Sequence, residues 1–255
     1  MGLINKLFGR KVEANTNFSM VSNSKESVLN VSIAYNKYGA YCTPISTQHR
    51  TLNQKILKGD VFEPDTIEFM ISNVKEGDIV HAGTFFGDFL PGISKGMGEF
   101  SKIWAFEPNP ESYRCTQITI ILNKIDNVEL LQTGLGEKTS STKILTKDKE
   151  GISLGGSSTI IDKYDGKGKV EEIKIVAIDD VVPKDRNISI LQLDIEGYEK
   201  QALMGALETI KRCRPILILE DDTNFTKSSW FNDHILALDY EITQKLHYNM
   251  VIRPK

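Results

Sequence analysis

Two acidic residues, Asp194 and Glu196, directly follow the apolar segment of residues 188–193. A continuous apolar segment of this kind is typical of a strand buried in a parallel sheet. Both carboxylates are therefore expected at the carboxyl end of a strand, where open α/β sheets bind ligands. There they can act as a general base, as Mg²⁺ ligands or as the group that orients a bound ammonium. In another interpretation, Glu196 and Glu199 only stabilise the N-terminus of the next helix.

A glycine-containing turn and another carboxylate at a strand end accompany this pair. The segment 78–82 leads into Gly83 and Gly87, which are spaced as Gly-x-x-x-Gly before a predicted helix. Glycines let the backbone approach a ligand closely, and a helix N-terminus favours negative groups. The next strand, residues 103–106, ends at Glu107. In nucleotide-binding units, a carboxylate that binds the ribose hydroxyls lies about 20 residues after the glycine turn, and Glu107 is close to that spacing. Glu107 can also cap the following helix.

The elements that must position these residues alternate between short apolar strands and helices. The predicted strands lie at residues 78–82, 102–106, 128–132, 188–193 and 216–219, and the predicted helices at residues 87–97, 110–123 and 199–211. Apolar strands separated by helices predict a doubly wound, mostly parallel α/β sheet that is covered on both faces.

Shorter elements flank this pattern. Before the main pattern, we predict a β-hairpin within residues 28–43 that turns at residues 36–39, and a helix at residues 66–74 with Asp65 as its N-cap. Within it, an insertion at residues 134–183 contains predicted strands at 142–146 and 170–176. After it, we predict a helix at residues 230–238 and a C-terminal hairpin within residues 241–252. We therefore divide the chain into a flexible lead-in with a hairpin attachment, residues 1–58, and a main domain, residues 59–255.

Composition and charge indicate which classes of partner and which compartment to expect. The chain has 255 residues and a net charge of −3, and its basic residues form no uninterrupted block, so we predict no nucleic-acid partner. No apolar run is long enough for a membrane span. Three widely spaced cysteines without a Cys-x-x-Cys motif fit a reducing compartment, which predicts a cytoplasmic protein. Nothing in the sequence sets an oligomeric state.

Between residues 59 and 220 the chain resembles the FkbM-type S-adenosylmethionine-dependent methyltransferases. The resemblance is strongest in WAFEPNP at residues 104–110, LNKIDNV at 122–128 and LQLDIEGYE at 191–199, and it continues in GALETI at 205–210 and RPILILE at 214–220. It implies a Rossmann-like class I methyltransferase fold. It also implies S-adenosylmethionine as cofactor, S-adenosylhomocysteine as product, and O-methylation of a small molecule or sugar.

The resemblance also implies a set of site residues. Asp194 would be the base, Glu196 would orient the acceptor, and Glu107 would hold the cofactor ribose. The other implied cofactor-binding residues are Glu63, Ala82, Gly83, Thr84, Phe85, Gly87, Pro108 and Asn109, with Asp194 near the sulfonium. A glycine and serine run at residues 155–159 would either close over the site or form a surface turn.

One position departs from the family pattern. His81 stands where related chains carry an acidic residue before the glycine loop. Asp88 could supply the missing carboxylate to the cofactor's ammonium group, and His81 could be a cofactor-binding residue, a rival base or a structural residue. No cluster has metal-ligand spacing, so we predict no metal site. Mg²⁺ between the strand-end acids is left open.

Two other functions fit part of the pattern. A nicotinamide-dependent oxidoreductase would use the same sheet and the same ribose carboxylate, but it calls for a Gly-x-Gly-x-x-Gly loop that is absent here. A non-catalytic cofactor-binding module is the third possibility, because His81 alters the first part of the site.

Overall fold

A seven-stranded sheet forms the centre of the protein, in a computed structural model that describes residues 28–161 and 163–255. The strands follow the order β12-β13-β11-β10-β3-β4-β5. They are β3 (Asp78–Ala82), β4 (Ile103–Phe106), β5 (Val128–Leu131), β10 (Ile188–Leu193), β11 (Ile216–Glu220), β12 (Tyr240–Leu246) and β13 (Asn249–Pro254). The first five are parallel, and the C-terminal hairpin β12–β13 adds antiparallel to β11. This arrangement confirms the predicted doubly wound α/β fold and the C-terminal hairpin.

Helices cover both faces of the sheet. They are α1 (Thr51–Leu57), α2 (Pro64–Asn73), α3 (Leu90–Lys95), α4 (Pro110–Asn123), α5 (Ile178–Val181), α6 (Glu199–Met204), α7 (Leu207–Cys213) and α8 (Ser229–His234). Successive side chains of a strand point to opposite faces. Ile79 of β3 accordingly packs in the cluster that contains α2 and α3, whereas Val80 packs in the cluster that contains α6 and α7. Burial on both faces explains why the parallel strands are almost uniformly apolar.

Four predicted helices differ from the structure. The one predicted at residues 230–238 ends at His234 and is followed by a 3-10 turn at Leu236–Leu238. The predicted helix at residues 87–97 begins only at Leu90, because residues 83–89 form a turn in which Phe85 and Gly87 have positive φ. The predicted helix at residues 199–211 is two helices that meet near Gly205, where an added Cβ would lie 2.0 Å from the Gly136 carbonyl oxygen.

The helix predicted at residues 66–74 begins earlier than expected. Its first residue is Pro64 and the preceding cap residue is Glu63, so the prediction of Asp65 as N-cap is wrong. Proline is favoured at this first position because its missing N–H has no helical partner there. Helix α1 was not predicted from the sequence.

An N-terminal hairpin, β1 (Val31–Tyr35) and β2 (Ala40–Pro44), confirms the predicted β element and its turn. The hairpin packs on α4. Asn123 of α4 accepts from the Ala40 N–H (2.9 Å) and donates to the Ala40 carbonyl (2.6 Å), and the Thr119 hydroxyl accepts from the Cys42 N–H (3.0 Å). Most of the lead-in predicted to be flexible lies outside the described residues. The boundary between residues 58 and 59 stays a prediction.

The insertion forms a second sheet of its own. Its strands are β6 (Gly134–Leu135), β7 (Ser140–Lys147), β8 (Thr159–Ile161) and β9 (Lys169–Val176), in the order β6-β9-β7-β8. The predicted strands at residues 142–146 and 170–176 are therefore confirmed, each slightly longer. A single 3-10 turn at Gly155–Ser157 precedes β8 and faces the central sheet's carboxyl edge.

Candidate active site

A cleft lies at the carboxyl ends of β3, β4 and β10. The second sheet closes its other side. Its lining residues are Ala82, Gly83, Phe106, Glu107, Pro108, Thr133, Gly134, Leu135, Ile144, Gly155, Gly156, Ser158, Ile160, Asp194, Ile195, Glu196 and Tyr198. The lining is apolar in its centre and carries carboxylates at both ends, so it suits an elongated ligand with polar groups at its two extremities.

Gly83 lets β3 and β10 meet beneath the cleft. The N–H of Asp194 donates to the Ala82 carbonyl (3.2 Å), while the Gly83 N–H donates to the Phe106 carbonyl (3.2 Å). Gly83 has φ of 82°, and a Cβ there would lie 1.7 Å from the Asp194 carbonyl oxygen. Only glycine therefore fits, and the fold places the Gly83 backbone directly against the residue that carries the strand-end carboxylate.

Glu107 stands at the first end of the cleft. One carboxylate oxygen accepts from the Phe85 N–H (2.7 Å) and the other from the Asn109 N–H (2.8 Å). Burial raises the pKa of this carboxyl from 4.5 to about 8, while the two N–H groups oppose the shift. Each oxygen keeps lone-pair capacity, since an ionised carboxylate accepts about four hydrogen bonds. The side chain is thus held in place and can still accept hydrogen bonds from a ligand.

Asn109 completes this end in a different role. Its side-chain oxygen accepts from the N–H groups of Glu111 and Ser112, so Asn109, not Glu107, is the side chain that caps α4. Its amide nitrogen donates to the Ser158 hydroxyl (3.0 Å) in the second sheet. Asn109 therefore ties the cleft's far wall to the central sheet.

Three carboxylates, Asp194, Glu196 and Glu220, converge at the second end of the cleft. One oxygen from each lies within 4.8 Å of the others. Burial, followed by the adjacent Glu220, holds the pKa of Asp194 well above its ordinary range. Burial also raises the pKa of Glu196 and of Glu220. Glu199 is separate, because its carboxylate accepts from the backbone N–H groups at residues 195 and 197 and so braces the loop.

Glu63 and Asp88 are buried behind this end and do not line the cleft. Glu63 accepts from the Thr66 hydroxyl (3.0 Å) and from the Asn249 amide (2.9 Å), and its charge raises the pKa of Asp194. Burial raises the pKa of Asp88 to about 7. The charge of Glu63 therefore acts on Asp194, whereas the charge of Asp88 acts on Glu107.

The His81 side chain is buried on the face of the central sheet that α2 and α3 cover. Its Nδ1 hydrogen-bonds to Gln192, and its ring stacks on Phe89 at a centroid distance of 5.4 Å. Burial lowers its pKa to about 4, so the ring is neutral at pH 7. His81 does not line the cleft, and its buried Nε2 has no hydrogen-bond partner among the described residues, so its role as rival base or structural residue stays a prediction.

The segment at Gly155–Ser157 leans against the glycine loop. A Cβ on Gly155 would lie 3.0 Å from the Phe85 ring, so a glycine is needed for this contact. Arg50 donates to the Leu154 carbonyl (2.7 Å), and Ser157 lies near enough to Glu196 to lower the pKa of that carboxyl. Of the two interpretations left open by the sequence, closure over the site fits these contacts better than a surface turn.

The structure brings together only part of the predicted set. Ala82, Gly83, Glu107, Pro108, Asp194 and Glu196 line the cleft, while Glu63, His81, Thr84, Phe85, Gly87, Asp88 and Asn109 lie behind it or support it. Sequence reasoning missed Thr133, Tyr198 and Asn249. Thr133 and Tyr198 belong to the insertion's start and to a loop, where nothing in the residue pattern distinguishes a ligand contact from an ordinary surface position.

The sheet order, the glycine turn and the strand-end carboxylates define the Rossmann-like class I methyltransferase fold. A profile of the methyltransferase FkbM domain matches residues 81–249. This match spans more than half of the chain, and the chain therefore belongs to the FkbM methyltransferase family. No curated protein matches the chain in sequence.

Solved structures give more distant matches. Methyltransferase FkbM from Methylobacillus flagellatus KT is 21% identical with a TM-score of 0.49, and the match covers 70% of this chain and 43% of that one. TYW2 of M. jannaschii, solved in complex with AdoMet, is 12% identical with a TM-score of 0.50 and coverages of 88% and 84%. An rRNA methylase from Streptococcus thermophilus is 12% identical with a TM-score of 0.42 and coverages of 75% and 95%. The chain thus spans less than half the length of this FkbM structure. The likeness to TYW2 supports the fold.

Among the residues that the structure describes, no helix is both long enough and apolar enough to cross a membrane.

Proposed function

We propose that the chain is an S-adenosylmethionine-dependent O-methyltransferase that acts on a hydroxyl group of a small molecule or sugar. One observation carries the proposal: a single cleft has an anchored, buried carboxylate at Glu107 and a strand-end carboxylate at Asp194, with a glycine backbone between them. The family supplies the methyl-transfer class, and TYW2, a protein with the same fold, is described with AdoMet bound.

The cleft's polar groups fit that cofactor. Glu107 is placed to accept hydrogen bonds from two ribose hydroxyls through its remaining lone pairs. Thr133 lines the cleft beyond Glu107, and its buried hydroxyl has no hydrogen-bond partner among the described residues. It can therefore bond to a ligand base. Acidic groups at the other end attract the positive sulfonium and ammonium groups.

When bound, the cofactor supplies a methyl group whose bond to sulfur breaks, with its electron pair going to sulfur, as the acceptor oxygen bonds to the carbon. Asp194 takes the proton from the acceptor hydroxyl, and Glu196 orients the acceptor. A carboxylate whose pKa is raised toward neutrality is a stronger base than an ordinary one and suits this step. The products are a methyl ether, S-adenosylhomocysteine and a proton that Asp194 later releases.

A nucleic-acid acceptor is disfavoured by charge. The cleft end that holds Asp194, Glu196 and Glu220 has no ion pair to a lysine or arginine among the described residues, so it repels phosphates. This supports a small, uncharged or cationic acceptor. Three free cysteines, two of them buried, support a reducing and therefore cytoplasmic location. The FkbM family gives no support to the nicotinamide alternative.

The first test is calorimetric titration with S-adenosylmethionine, S-adenosylhomocysteine and NAD. We expect the first two to bind and NAD not to bind. Binding of NAD alone would contradict the proposal. A screen of hydroxylated sugars and small molecules, followed by mass spectrometry for a mass gain of one methyl group, then identifies the acceptor class and separates an enzyme from a non-catalytic module.

The second test is Asp194→Asn, which keeps the shape of the side chain and removes the base. We expect turnover to fall by about 10²- to 10⁴-fold, the usual contribution of a general base, with cofactor affinity within about tenfold of wild type. The matched control is Asp222→Asn, an exposed acid on the neighbouring loop, which should keep turnover within about twofold. Equal turnover in Asp194→Asn and wild type would exclude Asp194 as the base.

A further inference from the structure

The acidic end of the cleft is built on rigid elements. Asp194 and Glu196 follow β10, and Glu220 is the last residue of β11, which pairs with β10 in parallel. Their three nearest oxygens lie within 4.8 Å of one another. Of the acids at residues 220–222, only Glu220 joins this group, since Asp221 accepts from Thr226 and Asp222 is exposed.

These carboxylates are not neutralised by the protein. Among residues 28–161 and 163–255, no lysine or arginine forms an ion pair with any of the three, and Arg50 acts on Glu196 only through space. Mutual repulsion of like charges is costly in a part-buried site. The arrangement therefore favours a bound positive charge.

Asn249 gives an independent sign of a ligand. It lies directly opposite Glu220 in the antiparallel pair of β11 and β13, so the two side chains leave the sheet on the same face, about 5 Å apart. Its amide nitrogen donates to Glu63 (2.9 Å), which fixes the amide's orientation. Its amide oxygen is buried and has no hydrogen-bond partner among the described residues, in a residue that is 2% exposed. A buried acceptor without a donor is costly unless a ligand satisfies it.

We propose that Asp194, Glu196, Glu220 and the Asn249 amide oxygen bind one divalent cation of the Mg²⁺ or Mn²⁺ type. The donor set consists only of oxygens, with three carboxylates and one amide, which is what hard divalent cations prefer. The set contains no sulfur or imidazole ligand, so Zn²⁺ and Cu²⁺ are disfavoured.

This inference rests on the proposed function and deepens it. A cation at this end binds the acceptor oxygen and stabilises its negative charge as the proton leaves. Each carboxylate contributes one oxygen to the cluster, which leaves the second oxygen of Asp194 to take that proton. An acceptor that chelates the cation through two neighbouring oxygens, such as a vicinal diol or a hydroxy acid, is then the preferred substrate class.

The test is a titration of the full chain, freed of metal with a chelator, with MnCl₂ and MgCl₂. Calorimetry gives the affinity, and the electron paramagnetic resonance signal of free Mn²⁺ gives the stoichiometry. We expect one Mn²⁺ per chain. Glu220→Gln should weaken Mn²⁺ binding by at least about tenfold, the loss seen even for residues that only orient metal ligands. Asn249→Leu should weaken it in the same direction.

Asp222→Asn is the matched control. Its charge acts on Glu196 and Glu220 through space, but it contributes no oxygen to the cluster, so we expect Mn²⁺ affinity within about twofold of wild type. Equal weakening in Glu220→Gln and Asp222→Asn would overturn the proposal, because it would indicate diffuse charge attraction. Wild-type protein that binds neither Mn²⁺ nor Mg²⁺ at millimolar concentration would also overturn it, whatever the variants do.

Cofactor binding, measured with the chelator present, separates this inference from the proposed function. Binding of S-adenosylmethionine without binding of Mn²⁺ overturns the cation site alone. Binding of Mn²⁺ without binding of S-adenosylmethionine overturns the methyltransferase proposal and leaves the cation site standing.

Discussion

The two ends of the cleft handle their carboxylates in opposite ways. At one end, both oxygens of Glu107 accept backbone N–H groups from the loops that precede α3 and α4. At the other end, Asp194, Glu196 and Glu220 face one another, and their pKa values are raised by burial and by neighbouring acids. The first end is thus complete in the folded chain. The second end is completed only by a ligand that carries positive charge.

The largest effect is expected from Gly83→Ala, which disturbs both ends at once. The new Cβ would lie 1.7 Å from the Asp194 carbonyl oxygen, so β3 and β10 must separate beneath the cleft. We expect loss of measurable S-adenosylmethionine binding by calorimetry, together with a melting temperature lower by several degrees.

Gly151→Ala is the control for that variant. Gly151 has nearly the same positive φ, 81°, but nothing lies within 4 Å of its added Cβ. It therefore reports the backbone strain alone, about 1 kcal/mol. If both variants lose equal stability and both still bind the cofactor, the close approach at Gly83 is not needed for the site.

A smaller effect, confined to the completed end, is expected from Glu107→Gln. An amide offers one oxygen where the ionised carboxylate offers two, and both carboxylate oxygens already accept backbone N–H groups. Above pH 8, where Glu107 is ionised, its proposed hydrogen bonds to the ribose hydroxyls contribute about 1.5–3 kcal/mol, so their loss corresponds to a loss of cofactor affinity of about 10- to 150-fold. The affinity for Mn²⁺ should stay unchanged. A loss at both ends would show that the two ends do not act independently.

The pH dependence of wild-type stability and cofactor affinity gives a second test of Glu107. The Glu107 carboxyl has a pKa of about 8 in the folded chain against 4.5 as its ordinary value. The folded state therefore holds one more proton than the unfolded state between these values, so this group makes stability fall as pH rises from about 4.5 to about 8. Cofactor affinity should rise over the upper part of that range, because the ionised carboxylate is the stronger acceptor. Melting and calorimetric series in wild type and Glu107→Gln measure both trends, and both should be weaker in the variant.

The smallest effect on the site is expected from His81→Leu. The ring lies outside the cleft lining, so cofactor affinity should stay within about threefold of wild type. Stability should fall by about 1–3 kcal/mol, because Gln192 loses its buried partner. Chemical denaturation measures the second quantity. A tenfold loss of cofactor affinity would place His81 in the site after all.

Ligands of open α/β sheets bind at the carboxyl ends of the strands, and this rule explains which site residues the sequence could predict. Apolar segments that end in acids fixed the positions of Glu107, Asp194 and Glu196, because parallel strands all deliver their carboxyl ends to one edge. The role of His81 was left open, and Asn249, Thr133 and Tyr198 were not assigned. The orientation of His81 depends on which face of β3 it occupies, and the sequence of a strand buried on both faces carries no polar alternation to reveal that face.

The other site residues depend on contacts between elements that are far apart in the sequence. Asn249 reaches the site because β13 pairs with β11 in one particular register, and no local pattern in the tail specifies that register. Thr133 and Tyr198 line the cleft from the loops that follow β5 and β10, where the residue pattern does not mark a ligand contact. Single-chain patterns predict the elements well, but they contain little information on which elements from distant parts of the chain come into contact.

The contact between the N-terminal hairpin and α4 has a consequence for the chain's tolerance of length changes. The hairpin is bonded to Thr119 and Asn123, which lie one helical turn apart on the same side of α4. Each residue of an α-helix turns the following ones by about 100°. A single residue gained or lost between these two positions would rotate one of them away from the hairpin. The number of residues between Thr119 and Asn123 therefore cannot change without loss of a contact to the hairpin.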